Sequence, residues 1–94
     1  MSTSIRHNCP TRKAGPWLRQ SGNENALYDP ETTSVHFLND TALAIWDLCD
    51  GETTPEEMIE AICQLSGMHR DVIEEDVART LHRFQHAGLI TWEH

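Results

Sequence analysis

The chain has 94 residues, 38% of them hydrophobic, which is enough for one domain with a modest core. No apolar run approaches the length of a membrane span, and the amino terminus lacks the apolar region of a secretory signal. We therefore expect a cytoplasmic protein without a membrane partner. The net charge of −8 repels phosphate backbones and anionic lipid and favours neutral or basic partners, although the same carboxylates can simply keep a small domain soluble.

The three cysteines, Cys9, Cys49 and Cys63, are an odd number without a CxxC pair, so the sequence does not indicate a disulfide framework. Cys49 and Cys63 fall on the apolar faces of predicted helices. We expect both to be buried thiols that pack as small hydrophobic side chains.

Residues 1–15 are predicted to form a flexible, irregular arm, and residues 16–94 a single folded domain. The first dozen or so residues look too polar to pack, and Pro10, Gly15 and Pro16 disfavour regular strand pairing.

Three short strands are predicted next, over residues 17–20, 26–29 and 34–38. Residues 21–25 are rich in turn-forming side chains, and the segment 29–32 places a proline at the second position of a turn. Because both connections are short, we expect an antiparallel meander of three strands.

Helix signals follow the third strand directly. Asn39 is placed to cap a first helix, and the spacing of Leu38 and Leu43 fits a hydrophobic staple around that cap. Asp50 and Gly51 predict the end of this helix. The face that packs on the sheet is predicted to comprise Ala42, Ile45, Trp46 and Cys49.

A second helix is predicted from Thr54, which with Glu57 forms a capping box and is followed by a proline at the first helical position. Gly67 lies where a carboxyl-terminal glycine is expected. The inner face of this helix is predicted to comprise Met58, Ile59, Ile62 and Cys63.

A third helix is predicted to begin near Asp71, whose spacing to Glu74 resembles another cap, and to end at Gly88. Residues 89–92 then form a short extended segment that can cover the core. The inner stripe of the helix is predicted to comprise Ile73, Val77, Leu81 and Phe84. Three antiparallel strands followed by three helices predict an α+β domain that is winged helix-turn-helix-like.

The segment VHFLN at residues 35–39 and the helix after it resemble the core signature of the PqqD family of peptide chaperones, also called RiPP recognition elements. The resemblance extends from about Pro10 to Ile90, and its central motif is fairly specific. The remaining residues that carry it are Ala42, Ile45, Trp46, Leu48, Asp50 and Gly51 in the motif, residues 13–19 before it, and Thr53 or Thr54, Ile59, Asp76, Val77, Leu81, Gly88 and Leu89 after it.

The resemblance implies a non-catalytic protein without a cofactor or metal. Members bind the leader of a ribosomally synthesised precursor peptide and deliver it to a modifying enzyme, which is a radical SAM protein in some pathways and a leader peptidase in others. The leader adds to the third strand in a groove walled by the third helix. The peptide-binding residues implied here are Ser34, Val35, His36, Phe37 and Leu38 on the strand, and Asp76, Arg79, Thr80 and Arg83 on the helix.

Strand addition has a physical basis that is independent of the family. Main-chain hydrogen bonds give affinity, and pockets for alternate side chains give specificity. Val35 and Phe37 lie on one side of the predicted strand, and His36 and Leu38 on the other. Alternation alone does not decide which pair joins the core, and all of the apolar members can be ordinary core residues.

Two charged features have alternative interpretations. Arg79 and Arg83, one helical turn apart, can clamp an acidic side chain of the leader, or they can pair with Glu75 and Asp76 on their own helix. The acidic second helix, with Glu56, Glu57 and Glu60, can dock the modifying enzyme, or it can be an ordinary solvated face.

The alternative function is a winged-helix DNA-binding regulator. The third helix begins with acidic residues where a recognition helix needs cations against phosphates, so we predict no nucleic-acid partner. A metal site is also not indicated. His82 and His86 have helical spacing, and His7 and Cys9 lie in the predicted arm, but no further ligand completes either group.

Overall fold

The computed structural model describes residues 8–92, which form three helices and two antiparallel sheets. The predicted α+β class, with a three-stranded antiparallel meander followed by three helices, is confirmed. None of the helices in the described part of the chain has the length and apolarity needed to cross a membrane. The elements in chain order are β1 (Pro10–Arg12), β2 (Trp17–Ser21), β3 (Glu24–Asp29), β4 (Ser34–Leu38), α1 (Asp40–Leu48), α2 (Pro55–Ser66), α3 (Arg70–His86) and β5 (Ile90–Trp92).

The meander has the strand order β2-β3-β4, with β3 in the centre. Its first connection is shorter than the predicted loop over residues 21–25. Ser21 pairs with Glu24, so Gly22 and Asn23 alone form the turn, and Gly22 has a φ of +60°. A two-residue connection of this kind suits the twist of an antiparallel hairpin.

The predicted irregular arm is wrong at residues 10–12, which form β1. Pro10 pairs with Trp92 and Arg12 with Ile90, so β1 and the carboxyl-terminal strand β5 make a second sheet. Cys9 is fully buried beside it. Proline is compatible with an edge strand because one side of such a strand needs no N–H donor. Residues 1–7 of the predicted arm lie outside the described residues.

β1 also binds the loop that follows α1. The Arg12 N–H donates to the carbonyl of Cys49, and the Gly51 N–H donates to the carbonyl of Pro10, both at 2.9 Å. Gly51 has a φ of +80°, and a Cβ built on it would lie 2.8 Å from Oγ1 of Thr11. Both the backbone conformation and the close approach therefore require glycine at this position.

Replacement of Gly51 is expected to be more destabilising than replacement of another left-handed glycine. Gly51→Ala adds a clash with Thr11 to a backbone strain of about 1–3 kcal/mol. Gly22→Ala is the matched control, because a Cβ at that position would have no atom within 4 Å. Urea unfolding should give the larger loss for Gly51→Ala, and adding Thr11→Ala should recover the difference. Equal losses at the two glycines would contradict the close approach.

The predicted caps are confirmed for two of the three helices. The Asn39 side chain accepts the Ala42 N–H at 2.8 Å, and Thr54 and Glu57 form the predicted capping box. The third helix starts next to Asp71 as predicted, but the predicted cap that joins Asp71 to Glu74 is wrong. α3 begins at Arg70 after His69, and no side chain caps it. Glu74 instead pairs with Arg70 at 3.0 Å.

One hydrophobic core joins the meander to all three helices. The predicted inner faces of the helices are buried, with Cys63 partly so, and Phe84 meets Trp46 edge to face at 5.4 Å. Leu43, the predicted staple residue, is also partly buried against this core. The fully buried side chains at its centre are Leu27, Ile45, Met58, Ile73, Phe84 and Leu89. This core fixes α3 against α1 and thereby sets the position of α3 beside the meander.

Candidate functional site: an unpaired strand edge beside a helix

The candidate site begins at the edge of β4. Within residues 8–92, β3 is the only strand that pairs with β4, so the opposite edge of β4 carries no strand. The Leu38 carbonyl accepts from the side-chain Nδ2 of Asn25, its partner on β3, whereas the Phe37 carbonyl accepts from Arg83 of α3. Because backbone groups alternate along an antiparallel strand, Val35 and Phe37 present their N–H and C=O groups to the unpaired edge.

Side chains also alternate along β4, and their burial decides which side of the strand faces the core, a question that the sequence did not answer. Val35 and Phe37 are 43% and 61% exposed, whereas Leu38 is 3% exposed. The Leu38 side chain is therefore part of the core. Ser34 and His36 are half-buried, and a hydrogen bond of 3.0 Å joins Oγ of Ser34 to Nε2 of His36. Only Val35 and Phe37 combine outward main-chain groups with available side chains.

The exposed side chains of β4 continue an apolar face across the sheet. Val35 is paired with Tyr28, and Tyr28 with Trp17, so the three residues form one row. The rings of Trp17 and Tyr28 stack at 4.5 Å between centroids, and Trp17 is 52% exposed. A strand added to β4 would place alternate side chains beside Val35 and Phe37 on this face.

A pocket of about 180 Å³ lies between α3 and the start of α1. The four α3 residues predicted from the sequence meet in its wall, and three residues that were not predicted complete it. The sequence contained a signal for these three residues: α1 begins two residues after β4 ends, which brings the first turn of α1 to the end of the strand. The lining residues are Asp76, Arg79, Thr80 and Arg83 from α3, and Asn39, Thr41 and Ala42 from the start of α1.

The two arginines in the pocket wall have different partners. Arg79 pairs with Glu75 at 3.2 Å and with Asp76 at 3.4 Å, which are the contacts along one helix that the sequence allowed. Such exposed pairs contribute only about 0.2–0.5 kcal/mol. Arg83 instead donates from Nη2 to the Phe37 carbonyl at 2.8 Å. The sequence suggested the same role for both arginines, whereas in the structure Arg79 pairs within its own helix and Arg83 contacts β4.

The turn that leads into β4 is held by Asp29. Its carboxylate accepts from the Glu31 N–H at 3.1 Å and from the Thr32 hydroxyl at 3.0 Å, and Lys13 Nζ lies 3.0 Å away. Burial opposes ionisation of this carboxyl. The hydrogen bonds from Lys13, Thr32 and Glu31 outweigh that effect and lower the pKa of Asp29.

Asp29 is expected to make the fold sensitive to acid. Because its pKa is lower in the folded protein, the ionised group stabilises the fold above its ordinary pKa of 3.8, and this contribution is lost as the pH falls through the folded-state pKa. Asp29→Asn should therefore be less stable than the wild type at neutral pH, by a gap that narrows below about pH 4. Urea unfolding across this pH range measures the gap, with exposed Glu52→Gln as control. A gap that does not change with pH would contradict the assignment.

The acidic face of α2 is tied to α3 by one cation. Arg70 pairs with Glu56, with Glu60 at 3.3 Å and with Glu74 at 3.0 Å. All three carboxylates are exposed, so this network leaves a negative surface on the protein. Glu57, the third acid of the predicted docking face, serves in the capping box of α2.

The remaining reactive side chains of residues 8–92 do not cluster into a site. His82 and His86 stack with 6.4 Å between ring centroids on α3. In the described part of the chain, no three residues of the His, Cys, Asp and Glu types cluster as metal ligands. His7 lies outside that part. Burial raises the pKa of the Cys49 thiol to about 12, which makes it a poor nucleophile at neutral pH.

The fold and the site together define a small α+β domain in which the unpaired edge of β4 lies beside α3. The sequence model of the family described as coenzyme PQQ synthesis protein D (PqqD) matches residues 24–90, which is more than half of the chain. The protein therefore belongs to the PqqD family. No curated protein matches the chain significantly.

Three proteins of known structure share this fold. TbiB1 in complex with the TbiA(beta) leader peptide is 21% identical, with a TM-score of 0.74 over 89% of this chain and 98% of its own. Lasso peptide synthetase B1 complexed with the leader peptide is 18% identical, with a TM-score of 0.74 over 88% and 98%. The PqqD truncation of Methylobacterium extorquens PqqCD, a stand-alone RiPP recognition element, is 25% identical, with a TM-score of 0.72 over 87% of both chains.

Proposed function

We propose that the protein is a non-catalytic recognition module that binds the leader of a ribosomally synthesised precursor peptide and presents it to a modifying enzyme. The observation that carries the proposal is the unpaired edge of β4 beside the α3 pocket. Membership of the PqqD family supports it, as do two proteins of the same fold that were solved with leader peptides.

The leader binds as an added strand on β4. Val35 and Phe37 supply the main-chain donors and acceptors, and their exposed side chains supply apolar contact. Each main-chain hydrogen bond has a net value of only about 1 kcal/mol. Burial of the apolar side chains must therefore provide much of the affinity, and the α3 pocket selects among the side chains that point towards it.

The second partner is the modifying enzyme, for which we propose a radical SAM protein or a leader peptidase. It must dock away from the edge that holds the leader. The negative surface of α2, with Glu56 and Glu60, offers a face for a partner with a basic patch. Charge reversal at Glu60 should then weaken enzyme binding but leave leader binding unchanged.

Two experiments test the peptide-binding role. Purification from the natural source, followed by mass spectrometry, should recover a short precursor peptide and an enzyme with the protein. Independently, a random library of displayed peptides of about 12 residues, longer than a typical strand of 5–6 residues, should yield binders. The tightest of them is named the selected peptide below.

Hydrogen exchange locates the selected peptide on the protein. The Val35 and Phe37 amides face the open edge and should become protected when it binds. The His36 amide, which faces β3, should already be protected without it. Protection confined to another element, or a library that yields no binder, would refute strand addition at β4.

DNA binding is the alternative function, and the start of α3 disfavours it. Asp71, Glu74 and Glu75 are exposed where a recognition helix would approach phosphates. Carboxylates there repel the duplex instead of displacing its counterions. Strongly salt-dependent retention of the protein on duplex DNA would reverse this conclusion.

A further inference from the structure

The free edge of β4 is not wholly vacant. Arg83 reaches from α3 to the Phe37 carbonyl, with 2.8 Å between Nη2 and the carbonyl oxygen. This carbonyl is one of the acceptors that an added strand needs for its own N–H groups. Arg83 thus occupies one main-chain position of the proposed binding edge in the peptide-free protein.

The two arginines of the pocket also differ in their ion pairs. Arg79 pairs with Glu75 and Asp76, whereas Arg83 forms no ion pair with a carboxylate of residues 8–92. Guanidinium groups prefer carboxylates to neutral carbonyls, because a charge-assisted pair is the stronger hydrogen bond. The contact of Arg83 with Phe37 is therefore one that a suitable carboxylate can replace.

The pleat of the sheet fixes where such a carboxylate must be. The peptide residue that pairs with Phe37 in an added strand directs its side chain to the exposed face, beside the Phe37 ring. The residues immediately before and after it direct their side chains to the opposite face of the sheet, which is the face covered by the helices. A carboxylate at either of these two positions is on the same side as the pocket that contains Arg83.

We propose that Arg83 is a latch that selects acidic peptides. It holds the Phe37 carbonyl until a peptide carboxylate takes over its guanidinium, and the freed carbonyl then accepts the peptide N–H. The preferred ligand has an apolar residue opposite Phe37 and an Asp or Glu next to it. This inference rests on the proposed function and names the class of peptide that the same edge selects.

A selection and a matched pair of peptides test the latch. The library of displayed peptides is selected in parallel on the wild type, on Arg83→Met and on Arg79→Met. Methionine keeps an unbranched apolar stem and removes the donors. The wild type and Arg79→Met should enrich an acidic residue beside an apolar one, and Arg83→Met should lose this enrichment.

Affinities then separate a latch from a merely structural residue. Replacing the acidic residue of the selected peptide by its amide should weaken binding to the wild type and to Arg79→Met by roughly tenfold. The same change should have less than about a twofold effect on Arg83→Met. The neutral peptide should bind Arg83→Met at least as tightly as the wild type, because the Phe37 carbonyl is already free.

The outcomes distinguish this inference from the function on which it rests. If the proteins yield no peptide at all, the peptide-binding role itself fails. If peptides bind at β4 without acidic enrichment, or if Arg83→Met weakens the acidic and neutral peptides equally, strand addition stands and the latch is overturned. If Arg79→Met abolishes the preference instead, the selectivity belongs to Arg79 and the latch is also overturned.

Discussion

Val35→Pro is expected to weaken binding of the selected peptide by roughly 5- to 150-fold while the domain stays folded. The Val35 N–H faces the open edge, so proline there removes a donor that β3 does not use. A peptide carbonyl left without its partner costs about 1–3 kcal/mol, which corresponds to the expected loss. Isothermal titration measures the affinity, and circular dichroism with urea unfolding measures the fold.

His36→Pro is the matched control, one residue along the strand. Its N–H faces Leu27 of β3, so proline there breaks the internal ladder and should lower the free energy of unfolding by about 1–3 kcal/mol. Val35→Ala keeps the N–H and should lose only the apolar contribution. If Val35→Pro unfolds the domain and His36→Pro does not, the assignment of the outward groups is reversed. If Val35→Pro binds normally, the peptide does not add to β4.

Phe84→Ala is expected to cost about 3–5 kcal/mol of unfolding free energy. Phe84 is fully buried in α3 and meets Trp46 of α1 at 5.4 Å, so its removal leaves a cavity between the two helices that wall the pocket. Domains of this kind have only about 5–15 kcal/mol in total. The variant should therefore be partly unfolded near physiological temperature, as judged by urea and thermal unfolding.

Leu65→Ala is the control for Phe84→Ala. Leu65 is also an apolar helical residue, but it is 86% exposed on α2, and surface changes of this kind stay within about 0.5 kcal/mol. A loss at Leu65 comparable to that at Phe84 would show that the buried cluster is not the main source of stability. At temperatures where Phe84→Ala is still folded, its lower peptide affinity would report on the placement of α3.

Local signals determined most of the secondary structure. The caps at Asn39 and Thr54 and the period of the helical inner faces depend on residues three or four positions apart, and the structure has them where the sequence placed them. The start of α3 was predicted within one residue, but the cap predicted at Asp71 is not formed, because no side chain caps this helix. β1 was missed because its partners lie near Asp50 and at β5, both distant in sequence.

The site shows the same division between local and distant information. The family motif predicted β4 and four residues of α3 as the binding site. The structure places these four residues in the wall of one pocket, and one of them reaches the edge of β4. They are Asp76, Arg79, Thr80 and Arg83. Which side of β4 enters the core was ambiguous, since apolar residues occur on both sides of the strand. Burial of Leu38 and exposure of Phe37 depend on which face the helices cover.

By itself, the sequence determined that the chain makes a meander followed by three helices, and that the last strand of the meander, β4, resembles a peptide-binding element. These properties follow from turn chemistry, caps and hydrophobic period, which act over a few residues. The tertiary structure alone decided that β1 closes against β5 and that Arg83, not Arg79, reaches the Phe37 carbonyl. Contacts between residues 46 positions apart depend on how the helices pack on the sheet, and no local pattern specifies that arrangement.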